Sequence, residues 1–173
     1  MMNTNQLRIL GLDPGLQRTG WGVIACDGPR LIYVAHGVIK PRTDIDFAER
    51  LLFLFNEISS VIELHAPHEA AVEEVFVNVN PASTLKLGHA RAAGLIAPAR
   101  AGLPVAEYAT RAVKKAVVGA GAADKAQIGF MVRRLLPLCG DPGEDAADAL
   151  AVAIAHAHLR RAAARSKPRS VAL

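Results

Sequence analysis

The chain has 173 residues, a formal net charge of +4 and two cysteines, a size that builds one domain whose core needs no disulfide or structural metal. No apolar run approaches the roughly 20 residues that span a bilayer, the N-terminus has no signal-type apolar region, and Cys26 and Cys139 form no CxxC pair, so the composition excludes membrane and disulfide-built classes and points to the reducing cytoplasm. Charge is unevenly divided: residues 1–99 hold 8 Lys and Arg against 10 Asp and Glu, and residues 100–173 hold 12 against 6, which suits a polyanionic partner for the second half and equally suits a solvated basic surface.

Leu7 to Leu12 form a short, mostly apolar run ending at Asp13-Pro14-Gly15, the pattern of a strand entering a tight turn. A second strand is predicted over residues 21–26, a turn at Asp27-Gly28-Pro29 and a third strand over residues 31–39, so the chain opens as an antiparallel meander. Asp46 is placed to cap a helix in which Phe47, Leu51, Leu54, Phe55 and Ile58 recur at helical spacing. A fourth strand over residues 70–75 returns through that helix, which makes its pairing with the first strand parallel. An Ala-rich helix over residues 81–99, a short strand over residues 105–108 and helices over residues 110–118, 125–136 and 144–164 complete an α/β domain. The expected domain is residues 1–164, and residues 165–173, basic and Pro-containing, form a predicted disordered tail.

Acidic residues fall where such a domain gathers them. Asp13 follows the first strand, and Glu73 lies near the end of the fourth, at the carboxyl ends where open α/β sheets build their sites. Asp13 before Pro-Gly also fits a plain turn former. Glu73 is embedded in Ala-Ala-Val-Glu-Glu-Val, where a buried carboxylate needs a cation or strong hydrogen bonds, and an edge strand with one wet face is the alternative. Asp145 and Asp148, three apart, share one helix face with Cβ atoms about 5–6 Å apart; acids in a first helical turn also serve the helix dipole. Taken together, the four fit a cluster of hard oxygen donors for Mg²⁺ or Mn²⁺, the equipment of a metal-dependent phosphodiesterase. His156 lies 11 residues beyond Asp145, roughly 16 Å along a helix at 1.5 Å per residue, so His156 and His158 are read as structural or surface residues.

Phe76 follows the acidic strand directly and precedes the polar loop Asn78-Val79-Asn80, a position from which an aromatic ring stacks on bases or packs in the core. Arg111, Lys114 and Lys115, with Lys125 beyond a Gly119-Ala120-Gly121 hinge, are cations that suit a phosphate backbone as well as a solvated helix face.

The ordered set Gly11-Leu12-Asp13-Pro14-Gly15, Thr19-Gly20-Trp21-Gly22, Val72-Glu73-Glu74-Val75-Phe76, Lys86-Leu87-Gly88-His89-Ala90-Arg91, Val117-Val118-Gly119 with Lys125, and Asp145-Ala146-Ala147-Asp148-Ala149-Leu150-Ala151 resembles the RuvC-type Holliday-junction resolvases of bacteria across nearly the whole chain. The resemblance implies an RNase H-like fold, a mixed five-stranded sheet flanked by helices, in a homodimer that makes paired symmetric nicks in strands of like polarity across a four-way DNA junction during recombination and repair. It implies catalytic and metal-binding roles for Asp13, Glu73, Asp145 and Asp148, two Mg²⁺ per site with Mn²⁺ able to substitute, and DNA contacts from Phe76, Asn80, Arg111, Lys114 and Lys125. The helix from Pro81 resembles the dimerisation element, and the RuvA-RuvB branch-migration helicase is an implied partner. Glu74 stands where the family often has Gln. The competing expectations are another RNase H-like nuclease acting on structured RNA or hybrids, and a non-catalytic junction-binding module. An actin-like ATPase, suggested by residues 11–22, needs two such domains and more chain than this.

Overall fold

The computed structural model describes residues 6–74 and 80–166. Among these residues five strands and five α-helices run in the order β1 (Leu7–Asp13), β2 (Thr19–Asp27), β3 (Arg30–Ile39), α1 (Phe47–His65), β4 (Glu69–Glu73), α2 (Pro81–Arg100), β5 (Val105–Tyr108), α3 (Thr110–Val118), α4 (Lys125–Leu135) and α5 (Glu144–Ser166). The strands form one sheet in the order β3-β2-β1-β4-β5. The two hairpin partners are antiparallel, and β1–β4 and β4–β5, connected through helices, are parallel, the mixed sheet expected from the hairpin turns and the crossovers.

Helix boundaries follow local chemistry. Asp46 and Glu49 begin α1, where the Glu49 side chain accepts from the Asp46 backbone N–H at 3.3 Å. Asp124 and Gln127 form a reciprocal capping box at the start of α4, at 2.8 and 2.9 Å. Gly119, at φ 92°, terminates α3 in the left-handed conformation. The last helix passes its expected end at Ala164 by two residues; residues 167–173, where the tail was expected, lie outside the described residues.

Strand alternation divides the core. Leu10, Leu12, Val23, Ala70 and Val72 face α1 and α2, whereas Ile9, Ile24 and Ala71 face α3, α4 and α5. A central strand of a three-layer domain is apolar on both faces, and β1 and β4 satisfy this until their last residues. Gly11 pairs with Ala71 in the parallel register, so two residues further Asp13 and Glu73 emerge side by side on the α5 face. The β4 strand lies between β1 and β5. Glu73 therefore belongs to an interior strand, and the edge-strand reading of it falls.

The helix α5 is apolar on every side through Ala149 to Ala155, as a helix sandwiched between a sheet and other helices must be. It sits unusually close to the sheet. A Cβ added to Gly11 would collide with the Ala149 carbonyl oxygen and lie 2.7 Å from Ala153 N, one on Gly20 would collide with the Asp145 carbonyl oxygen, and one on Gly22 would lie 2.6 Å from Leu150 Cδ2. Three glycines on adjacent strands thus let the helix backbone rest on the strand backbone.

Candidate active site

Asp13 is presented by a closed turn. Thr19, fully buried, donates through Oγ1 to the Gly15 carbonyl at 2.8 Å and accepts from Gly15 N at 3.2 Å. The absence of a side chain on Gly15 makes room for the Arg18 carbonyl, and Pro14 packs against α2 at Gly94. The turn after β1 is therefore held from both sides, and the carboxyl at its start has a fixed position over the strand ends.

The helix α5 brings the remaining acids. Its first turn lies against Gly20, the register partner of Asp13, which sets Asp145 and Asp148 above the same strand ends. Asp13, Glu73 and Asp148, with Lys114 and Lys125, line a cleft of about 290 Å³ whose apolar wall includes Val113 and Ile128. The cleft is bounded by β1, β4, α3, α4 and α5, so no local stretch of sequence contains it.

Electrostatics mark Asp13 as the most perturbed carboxyl. Burial, then the charge of Glu73 and a hydrogen bond with its carboxyl, then Asp148 and Asp145, push Asp13 up to about 8. Burial also raises Asp148, with Glu73 and Glu144 adding to the effect and Lys125 opposing it. Lys125 ion-pairs with Glu144 and lies 3.7 Å from Asp148 Oδ2; its hydrogen bond with Glu144 holds the ammonium above its usual range. Arg18 Nη1 donates to Asp145 Oδ2 at 3.3 Å.

Among the described residues, no three Asp, Glu, His or Cys side chains converge closely enough to form a ready-made metal cage. The donor set nevertheless fits a hard divalent cation: all oxygen, one member pushed up by burial and by its acidic neighbours, and two members turned toward Lys125 and Arg18. Such a group needs positive charge to stay together, which a bound cation would bring.

Of the residues singled out in the sequence, Asp13, Glu73, Asp148, Lys114 and Lys125 meet in the cleft. Asp145 contributes to the field at Asp13 but faces Arg18 outside the cleft wall. Arg111 lies beside Lys114 in an adjoining surface depression with Gly121. Asn80 uses its side-chain oxygen to cap α2, accepting from Ala82 N at 3.0 Å and Ser83 N at 3.3 Å. Phe76 lies outside the described residues. Sequence reasoning passed over Arg18 and Glu144; the available signal was position, Arg18 in the turn opened by Asp13 and Glu144 at the first position of the helix bearing Asp145.

His156 and His158 are structural. His156 is buried, with Nδ1 at 2.8 Å from the Tyr108 hydroxyl and Nε2 at 2.8 Å from Glu69 Oε2. Burial alone would raise Glu69, but hydrogen bonds from His156 and Arg160 outweigh it and hold this carboxyl below its usual range. The network ties β4 and β5 to the second half of α5. His158 Nδ1 meets the Ala116 carbonyl at 3.0 Å, joining α5 to α3.

Residues 9–156 match the model of the family described as crossover junction endodeoxyribonuclease RuvC. The chain is 70% identical over 162 residues to the crossover junction endodeoxyribonuclease RuvC of Caulobacter vibrioides, covering 92% of this chain and 96% of that protein. Its fold is similar to Thermus thermophilus RuvC solved in complex with a Holliday junction substrate, with a TM-score of 0.85 and 33% identity over 91% of this chain and 96% of the other. A yeast mitochondrial Holliday junction resolvase shares the fold alone, at 16% identity and a TM-score of 0.62 over 90% of this chain and 81% of that one.

Proposed function

This chain belongs to the RuvC family of crossover junction endodeoxyribonucleases, and from that membership and the cleft we propose that it resolves Holliday junctions by hydrolysing one phosphodiester in each of two strands of like polarity. The observation that carries the proposal is the meeting of Asp13, Glu73 and Asp148 with Lys114 and Lys125 in one cleft at the strand ends. Asp13, Glu73, Asp145 and Asp148 would hold divalent cations, Mg²⁺ by their hard oxygen donors, two per site, with Mn²⁺ as a substitute, and bound cations would supply Lewis acidity at phosphorus and water activation.

The protein's own groups do the rest. Asp13 has to lose its proton to serve as a ligand, so activity falls toward acid pH. Lys125 pairs with Glu144 and Asp148 at the cleft, and Lys114 in the same cleft, with Arg111 in the adjoining depression, would contact the strand backbone. Lys114→Ala should weaken junction binding and reduce the salt slope by about one, each phosphate contact being worth close to one counterion; a slope identical to wild type would remove Lys114 from the DNA contact.

Two cuts on one branched substrate call for two copies of the cleft. A homodimer supplies them, and Leu85 and Ile96 on α2, 65% and 56% exposed, are apolar groups on the helix that the family resemblance assigns to the contact. Partnership with the RuvA-RuvB helicase and a cytoplasmic location rest on family membership. The described residues contain no helix long and apolar enough to cross a membrane.

The deciding experiment is Mg²⁺-dependent cleavage of a labelled four-way junction beside linear duplex of the same sequence. Paired symmetric nicks in the junction alone are expected. Equal cutting of the duplex, or of structured RNA, would move the substrate elsewhere while leaving the fold untouched.

A further inference from the structure

Arg18 stands over the first turn of α5 with its guanidinium against Asp145 at 3.3 Å; the Arg18 side chain is 60% exposed and that of Asp145 31%. The backbone is fixed on both sides of this contact. The Arg18 carbonyl fills the space that a side chain on Gly15 would need, the next residue, Thr19, closes the turn on Gly15, and Gly20 rests against the Asp145 carbonyl. Arg18 is thus delivered to Asp145 by the same turn that begins at Asp13.

A guanidinium carries five N–H donors in a planar fork suited to phosphate. One donor meets Asp145, and the exposure of the side chain leaves the fork open to solvent and to a strand laid across the cleft. An ion pair this exposed is weak and readily exchanged. A divalent cation arriving at Asp145 and a phosphate arriving at Arg18 would each release the other's competitor.

We propose that Arg18 is a phosphate-binding residue that exchanges partners, holding Asp145 in the DNA-free protein and engaging the DNA backbone once a divalent cation takes Asp145. The inference rests on the junction-cleaving reading above and adds to it a positive coupling between cation and DNA, with Arg18 as the shared element. The group lies outside the set of residues that the family resemblance marks for DNA contact.

The test compares wild type, Arg18→Ala and Arg18→Lys. Calorimetric titration of the DNA-free protein with Mn²⁺ should show about two- to fivefold tighter binding in Arg18→Ala, the size expected for removing an exposed competing charge. Fluorescence anisotropy of a four-way junction in Ca²⁺, across a salt series, should show weaker binding for Arg18→Ala with the slope reduced by about one, whereas Arg18→Lys keeps the slope. Arg18→Ala should melt like wild type, its side chain being largely in solvent. Either quantity unchanged in a folded Arg18→Ala protein overturns the exchange. A wild type that takes up no Mn²⁺ or does not prefer the junction over linear duplex refutes the proposed function instead.

Discussion

Asp13→Asn should lower junction cleavage by more than about 100-fold while leaving junction binding in place. Even outer partners of metal ligands are worth roughly 10- to 100-fold, and Asp13 is the carboxyl at which the fields of Glu73, Asp148 and Asp145 converge. The same substitution has a signature independent of catalysis. Folding raises the Asp13 pKa from 3.8 to about 8, so the folded protein binds this proton more tightly than the unfolded chain. The resulting stability is present below pH 3.8 and is lost as the pH climbs toward about 8. In EDTA, the wild-type melting temperature should therefore carry a falling contribution over that window, and Asp13→Asn, with no charge to bury, should melt higher than wild type at pH 8 and converge with it near pH 4. A divalent cation should stabilise wild type most at the alkaline end. Cleavage equal to wild type would remove Asp13 from the chemistry, and equal melting at pH 8 would mean that neither burial nor its neighbours disfavour its charge.

Gly11→Ala should be strongly destabilising. The added carbon meets the Ala149 carbonyl, Ala153 N at 2.7 Å and Ala153 Cβ at 2.9 Å, on the central strand of the sheet and on a helix buried on every side. Overpacking costs typically about 1–3 kcal/mol and more where backbone must move. Urea denaturation should show a loss at or above the top of that range, and the folded fraction should cleave poorly because α5 carries Asp145 and Asp148. Gly88→Ala is the contrast. Its Cβ meets nothing within 4 Å, and a helical glycine replaced by alanine gains up to about 1 kcal/mol. Similar midpoints for the two variants would refute the close-contact account of α5.

Much of this architecture was legible because its signals are local. The meander, the cap at Asp46 and the apolar periodicity of α1 each occupy a few adjacent residues, and the predicted elements agree with the structure to within about two residues at most ends. The fourth strand, expected to reach Val75, ends at Glu73, just before the undescribed segment holding Phe76. Glu73 shows where legibility stops. Its residue type and position were plain, but whether its strand was central or at an edge depended on strand order, which no local pattern encodes; β5 pairing outside β4 decided it. The aspartates of α5 raised the same difficulty, since a helix-start acid and a site acid look alike until the sheet beneath them is known. Arg18 and Asp145 are 127 residues apart, and Asn80 looked like a loop residue facing DNA until its oxygen was found capping α2. Long-range pairings of this kind follow from the fold, and the family resemblance supplied the roles that periodicity could not.

The seating of α5 on Gly11 and Gly20 has a consequence for tolerance. Ligand distances at a metal centre must hold to within about 0.2 Å, and a helix spaced from its sheet by leucines or valines would shift by more than that whenever one of those side chains changed. Here the spacer is main chain against main chain, which the glycines permit and which owes nothing to the aliphatic side chains around it. The interior can drift over generations, exchanging one aliphatic group for another, while the separation between Asp13 and the aspartates above it stays set by backbone atoms for as long as Gly11 and Gly20 are kept.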